Sequence, residues 1–95
     1  MATRTIFLAG SPDGQKMWGE GATCKKISTG TYMIEFDQPF KGYPVPVVTV
    51  SGPPWQTFNM SAAIIDVNPH NCVLLTSSPN QPVDAGFSII IAGSE

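Results

Sequence analysis

The side chains able to do chemistry in this chain are few, and their types favour binding over catalysis. The single histidine, His70, sits in an Asn68-Pro69-His70-Asn71 turn and reads as a solvated turn residue. Glu35 and Asp37 fall on the same outward side of one strand-like segment, where two carboxylates can share acid and base roles. A solvated polar face accounts for them more simply. No Gly-rich loop joins a strand to a helix, so nothing is set up to cradle a phosphate. The expectation is a protein that is not an enzyme and holds no cofactor or metal. Cys24 and Cys72 are too far apart for a CxxC pattern. Two free, half-buried thiols are expected, with an inter-strand disulfide as the alternative.

The loops are richer. Gly52-Pro53-Pro54-Trp55-Gln56-Thr57-Phe58-Asn59 sets two aromatics among amides in a proline-stiffened segment. Sugar rings stack on aromatic faces, and their hydroxyls suit Asn, Gln and Asp. The stretch from Ser78 to Asp84 adds Asn80, Gln81 and Asp84. Trp55, Gln56, Asn59, Asn80, Gln81 and Asp84 are therefore the candidate carbohydrate contacts. Trp18, between Lys16 and Glu20, is a further aromatic of this kind. For Trp55 the alternative is a plug at the end of the fold or a residue in a subunit seam.

These loops need a frame, and the hydrophobic pattern supplies one. Thr31 to Asp37 is the cleanest segment: Tyr32, Ile34 and Phe36 alternate with Thr31, Met33, Glu35 and Asp37. Strands are expected at Thr3 to Ala9, Ala22 to Ser28, Val45 to Ser51, Met60 to Val67, Cys72 to Ser78 and Gly86 to Ala92 as well. Gly, Pro, Asn and Asp clusters separate them, and no helical spacing survives. The pattern predicts an all-β, small antiparallel sandwich of six or seven strands. One domain spans residues 1–95, with an N-terminal strand and Gly-rich turns over 1–21 and the sandwich core over 22–95.

Of the 95 residues, 13% are charged, about half the ~25% usual for soluble domains. With 42% hydrophobic residues, disorder is excluded, and no apolar run is long enough for a membrane-spanning helix. A net charge of -2, with Lys25-Lys26 the only basic cluster, argues against nucleic acid as a partner. The N-terminus lacks a signal-peptide apolar region. Synthesis in the cytoplasm, with virion association or release afterwards, is the expectation.

The missing charge is concentrated in three strands. Val47, Val48 and Val50 occupy both faces of theirs, as do Ala62, Ala63, Ile64 and Ile65, and Ile89, Ile90 and Ile91. A sandwich has one interior, so the second apolar faces need another cover, and self-association supplies it. Val48, Val50, Ile64 and Ile90 are the candidate interface residues. A strongly curled sheet is the alternative.

Leu8 to Phe40 reads LAGSPDGQKMWGEGATCKKISTGTYMIEFDQPF. It resembles a module common at the C-terminal ends of phage tail fibres and related bacterial proteins. Pro46 to Gly93 resembles the trimeric H-type lectin sandwich, whose ending is matched by Phe87-Ser88-Ile89-Ile90-Ile91-Ala92-Gly93. The resemblance implies a homotrimer that binds a glycan or cell-surface receptor between its subunits. H-type lectins carry a late Trp-His pair that the stretch from Thr76 to Gly86 lacks, and their sugar-binding Arg has no clear match. No lectin contact residue carries over, and fold alone does not license function. The alternative function is a purely structural trimerisation or capping module of a virion or injection apparatus.

Overall fold

Alternation of apolar and polar side chains builds the strands of the computed structural model, which describes residues 2–52 and 59–95. Nine strands occur among the described residues. They are β1 (Thr3–Gly10), β2 (Lys16–Glu20), β3 (Ala22–Ser28), β4 (Thr31–Phe36), β5 (Val45–Val50), β6 (Ser61–Val67), β7 (Asn71–Ser78), β8 (Gln81–Pro82) and β9 (Phe87–Ser94). All pairings are antiparallel. One sheet has the order β2-β1-β9-β5; the other has the order β3-β4-β7-β6, with the short β8 pairing to β7. Among the described residues no helix is long and apolar enough to cross a membrane.

The two sheets close on a core drawn from both. Ile6 and Leu8 of β1 and Phe87, Ile89 and Ile91 of β9 meet Tyr32, Ile34 and Phe36 of β4 and Cys72 and Leu74 of β7. Tyr32 and Phe87 bridge the sheets with ring centroids 5.0 Å apart. Each fully buried aliphatic side chain here contributes about 1.5–3 kcal/mol. The N-terminal strand β1 lies inside its sheet, between β2 and β9.

Seven strands fall where the alternation predicts them, and two come in addition. In β2, Ala9 pairs with Trp18 and Gly10 with Lys16, so Met17 is the extra residue of a bulge. Gly19 follows at φ 124, where an added Cβ would come within 2.4 Å of the Phe7 carbonyl oxygen. A bulge and a glycine erase the two-residue period in so short a strand. The other addition, β8, is two residues long and includes Pro82.

The register also settles the cysteines. Cys24 and Cys72 both pair with Ile34, from opposite sides of β4. Two strand spacings put them about 9.5 Å apart, beyond the ~7 Å reach of a disulfide. Both thiols are free. Burial pushes the Cys72 thiol up to about 11, which keeps it protonated and inert.

Candidate functional site

Several connections meet at one pole of the sandwich. Pro12, Ser51, Met60, Val83, Asp84, Ala85 and Gly86 line a cleft of about 370 Å³ there. Hydrogen bonds brace its walls. The Tyr32 hydroxyl donates to the Pro12 carbonyl at 2.7 Å and accepts the Ala85 N–H at 3.3 Å. The buried Thr76 hydroxyl donates to the Val83 carbonyl at 2.6 Å. Asp84 is held through both carboxylate oxygens: Oδ1 accepts the Gly30 N–H at 2.7 Å, and Oδ2 meets Lys26 Nζ. The Lys26 hydrogen bond, then that of Gly30, holds the Asp84 carboxyl below the usual range. The same hydrogen bond from Asp84 raises Lys26. Gly30 stands at φ 66, and a Cβ there would come 2.5 Å from the Thr76 carbonyl oxygen, so the β3–β4 turn needs glycine.

Of the candidate sugar contacts, Asp84 lines this cleft. Asn80 and Gln81 are exposed on the β7–β8 turn, and Asn59 is exposed at φ 68. None of these three lines the cleft. Trp55 and Gln56 lie outside the described residues. His70 is exposed, and the Asn68 side chain accepts its backbone N–H at 2.8 Å, as in an Asx turn. Glu35 pairs with Lys25 at 3.4 Å on a sheet face, whereas Asp37 lies past the end of β4 with its N–H bonded to the Gly21 carbonyl. The described residues contain no group of three or more His, Cys, Asp or Glu side chains able to hold a metal.

A second cleft, of about 330 Å³, lies near the chain ends and is lined by Arg4, Thr5, Ile6, Glu20, Gly21, Asp37 and Gln38. The Glu95 N–H donates to the Ala2 carbonyl. The Arg4 guanidinium stacks 3.9 Å from the Phe40 ring centroid and donates to the Gln38 carbonyl. Its Nε is buried without a partner. Sequence reasoning missed this cleft, because it is assembled from three segments and each supplies only one charged side chain.

The outer face of the four-stranded sheet is the other conspicuous surface. Phe7, Ile90 and Val47 stand side by side on β1, β9 and β5. Val45 lies two pairs along, opposite Ala92, and Trp18 packs edge-on against Phe7 with centroids 6.0 Å apart. All five of the large side chains, Phe7, Trp18, Val45, Val47 and Ile90, are more than half exposed. Of the four candidate interface residues, Ile90 is the one on this face. Val48 and Ile64 pack against the core, and Val50 shares the inward side of β5 with Val48.

No family model matches the chain. No curated protein matches it either. Two solved structures are similar over 96% of the chain at 17% identity. One is an N-truncated R1-type pyocin tail fibre, with 67% of that chain covered and a TM-score of 0.44. The other is a C-terminal fragment of the P. aeruginosa R1 pyocin fibre, of which this chain spans 22%, with a TM-score of 0.45. A likeness at this level assigns neither activity nor assembly.

Proposed function

We propose that this chain is a non-catalytic, homotrimeric binding module whose braced pole engages a glycan or another cell-surface receptor, in the manner of a tail-fibre tip. The observation that carries the reading is the construction of that pole. Loops from both sheets are gathered around one cleft and fixed there by Tyr32, Thr76 and the Lys26–Asp84–Gly30 cluster. Rigid scaffolds that present polar loops at one end are a recurrent design for binding. Asn59, next in sequence to the cleft-lining Met60, and Asn80 and Gln81, on the turn that leads to Val83, are exposed amides. The sequence resemblance of Leu8 to Phe40 and Pro46 to Gly93 to tail-fibre and H-type lectin modules supports the same reading. The module is made in the cytoplasm, acts on a virion or after release, and neither enters membranes nor binds nucleic acid.

A second reading, a structural trimerisation or capping module, is favoured by one observation. Asp84, the charged group in the cleft, has both oxygens engaged within the protein. A glycan array and whole-cell binding with labelled protein separate the two. The first reading expects hits that an Asn80→Ala/Gln81→Ala variant loses while its oligomer persists. No binding to glycans or cells by a folded, oligomeric protein leaves the structural module standing.

A further inference from the structure

The structure assigns the self-association surface to the outer face of the four-stranded sheet, covered by a second copy of this chain. This inference rests on the oligomer proposed above and says which surface makes it.

Size is the first argument. The exposed parts of Phe7, Trp18, Val45, Val47 and Ile90 amount to on the order of 600 Å² of apolar surface, set against about 800 Å² per partner in a standard interface. Thr5, Ser88, Thr49 and Ala92 fill the positions between them and extend the patch with small side chains. A patch of this extent stands at the upper end of what monomers expose, and patches of that size commonly mark interaction sites.

The second argument is charge. Across the paired rows of β2, β1, β9 and β5, Glu20 at one margin is the charged side chain of this face. Two copies can therefore meet without placing like charges opposite one another. An unrelated partner would ordinarily leave a polar rim on the surface it reads. The opposite sheet is built otherwise. Lys25, Met33, Val73 and Asp66 are aligned across it, and the Lys25–Glu35 ion pair lies over the same face. Long charged side chains cover apolar neighbours there.

The third argument is shape. A sheet face with β-branched and aromatic residues in register packs well against another sheet at about 10 Å. The protomer already closes its own core in this way, and the outer face repeats the same side-chain types one residue out of step. Ile89 and Ile91 are buried within the protomer, and Ile90 between them is 55% exposed.

Size-exclusion chromatography with light scattering tests the inference on the wild type, Ile90→Lys, Val47→Lys and Ile65→Lys. Ile65 is 53% exposed on the other sheet and serves as the matched control. The expected result is an oligomeric wild type, an unchanged Ile65→Lys, and two folded monomers with far-ultraviolet circular dichroism like the wild type. A lysine forced into the interface should weaken association by at least about 100-fold. A wild type that is monomeric up to about 100 µM overturns both the oligomer reading and this assignment. An oligomer that survives Ile90→Lys and Val47→Lys overturns the assignment alone. A dimer dissolved by the two lysines supports the face and overturns the threefold form.

Discussion

The two sheets of this sandwich treat their outer faces in opposite ways. The five-stranded sheet carries charge on its outer face: Lys25 pairs with Glu35 there, and Asp66 stands in line with Lys25, Met33 and Val73. The four-stranded sheet shows solvent a row of Phe7, Ile90 and Val47 with Trp18 on its flank. A half-exposed antiparallel sheet is expected to be apolar inside and polar outside. Only the five-stranded sheet approaches that rule. The difference teaches that the low charge of the chain is local, and that it belongs to one surface. Substitutions in the five-stranded sheet should act on the protomer, whereas those on the outer face of the four-stranded sheet should act through concentration.

The largest effect is expected from Leu74→Ala, at the centre of β7. Leu74 is fully buried, so the cavity should cost about 2–5 kcal/mol, the same at every protein concentration by urea unfolding. Next comes Tyr32→Phe, which leaves the Pro12 carbonyl and the Ala85 N–H without their partner. A loss of about 1–3 kcal/mol is expected, with exchange of the Ala85 amide accelerated. Ile90→Ala should differ in kind. In dilute protomer it should be nearly silent, but in the oligomer it should weaken each contact by roughly 1–2 kcal/mol. A melting temperature that falls equally at all concentrations would place Ile90 with the core and erase the contrast between the sheets.

Asp84→Asn is expected to do less. The carboxylate is one-third exposed, so solvent screens its pair with Lys26. Its pKa is lowered in the folded state, so the stabilisation is present above the unfolded carboxyl value near ~3.9 and is lost as pH falls through the folded value. Lys26 is raised, so its share persists below the unfolded lysine value near ~10.4 and fades as pH climbs through the folded one. Unfolding curves of wild type and Asp84→Asn should therefore differ at neutral pH and draw together as pH falls below the unfolded carboxyl value and through the lower folded one. Convergence at neutral pH would remove the bracing role given to Asp84. The smallest effect is expected from Lys25→Ala, on the charged outer face. The pair it breaks is exposed on both sides, so unfolding free energy should move by less than about 1 kcal/mol.

Much of the frame was legible because strand alternation is a local signal. Tyr32, Ile34 and Phe36 are buried as the two-residue period requires, and Glu35 is exposed. The doubled faces were legible too, for Ile89, Ile90 and Ile91 announce an apolar residue on the wrong side of a strand. Which residue faces outward was harder. Val47 and Val48 are alike in type, and only the register with β9 sends Val47 out beside Ile90 and Val48 in beside Ile89. Strand β2 was hidden by its Met17 bulge and Gly19. The site was least legible. In the sequence Asp84 stands out for its ability to bind hydroxyls, but its partners Lys26 and Gly30 lie 58 and 54 residues away in the chain. Arg4, Glu20 and Asp37 meet for the same non-local reason.

The central claim is that the outer face of the four-stranded sheet is covered by another copy. Oxidative footprinting reads it directly, through the labelling rates of Phe7 and Trp18 in wild type and in Ile90→Lys. Phe7 is 51% and Trp18 62% exposed in the protomer, and Ile65, 53% exposed on the other sheet, serves as an internal reference away from the face. The account predicts that Phe7 and Trp18 label several-fold more slowly in concentrated wild type than in Ile90→Lys, with Ile65 unchanged. Equal labelling of Phe7 and Trp18 in the two proteins would contradict it.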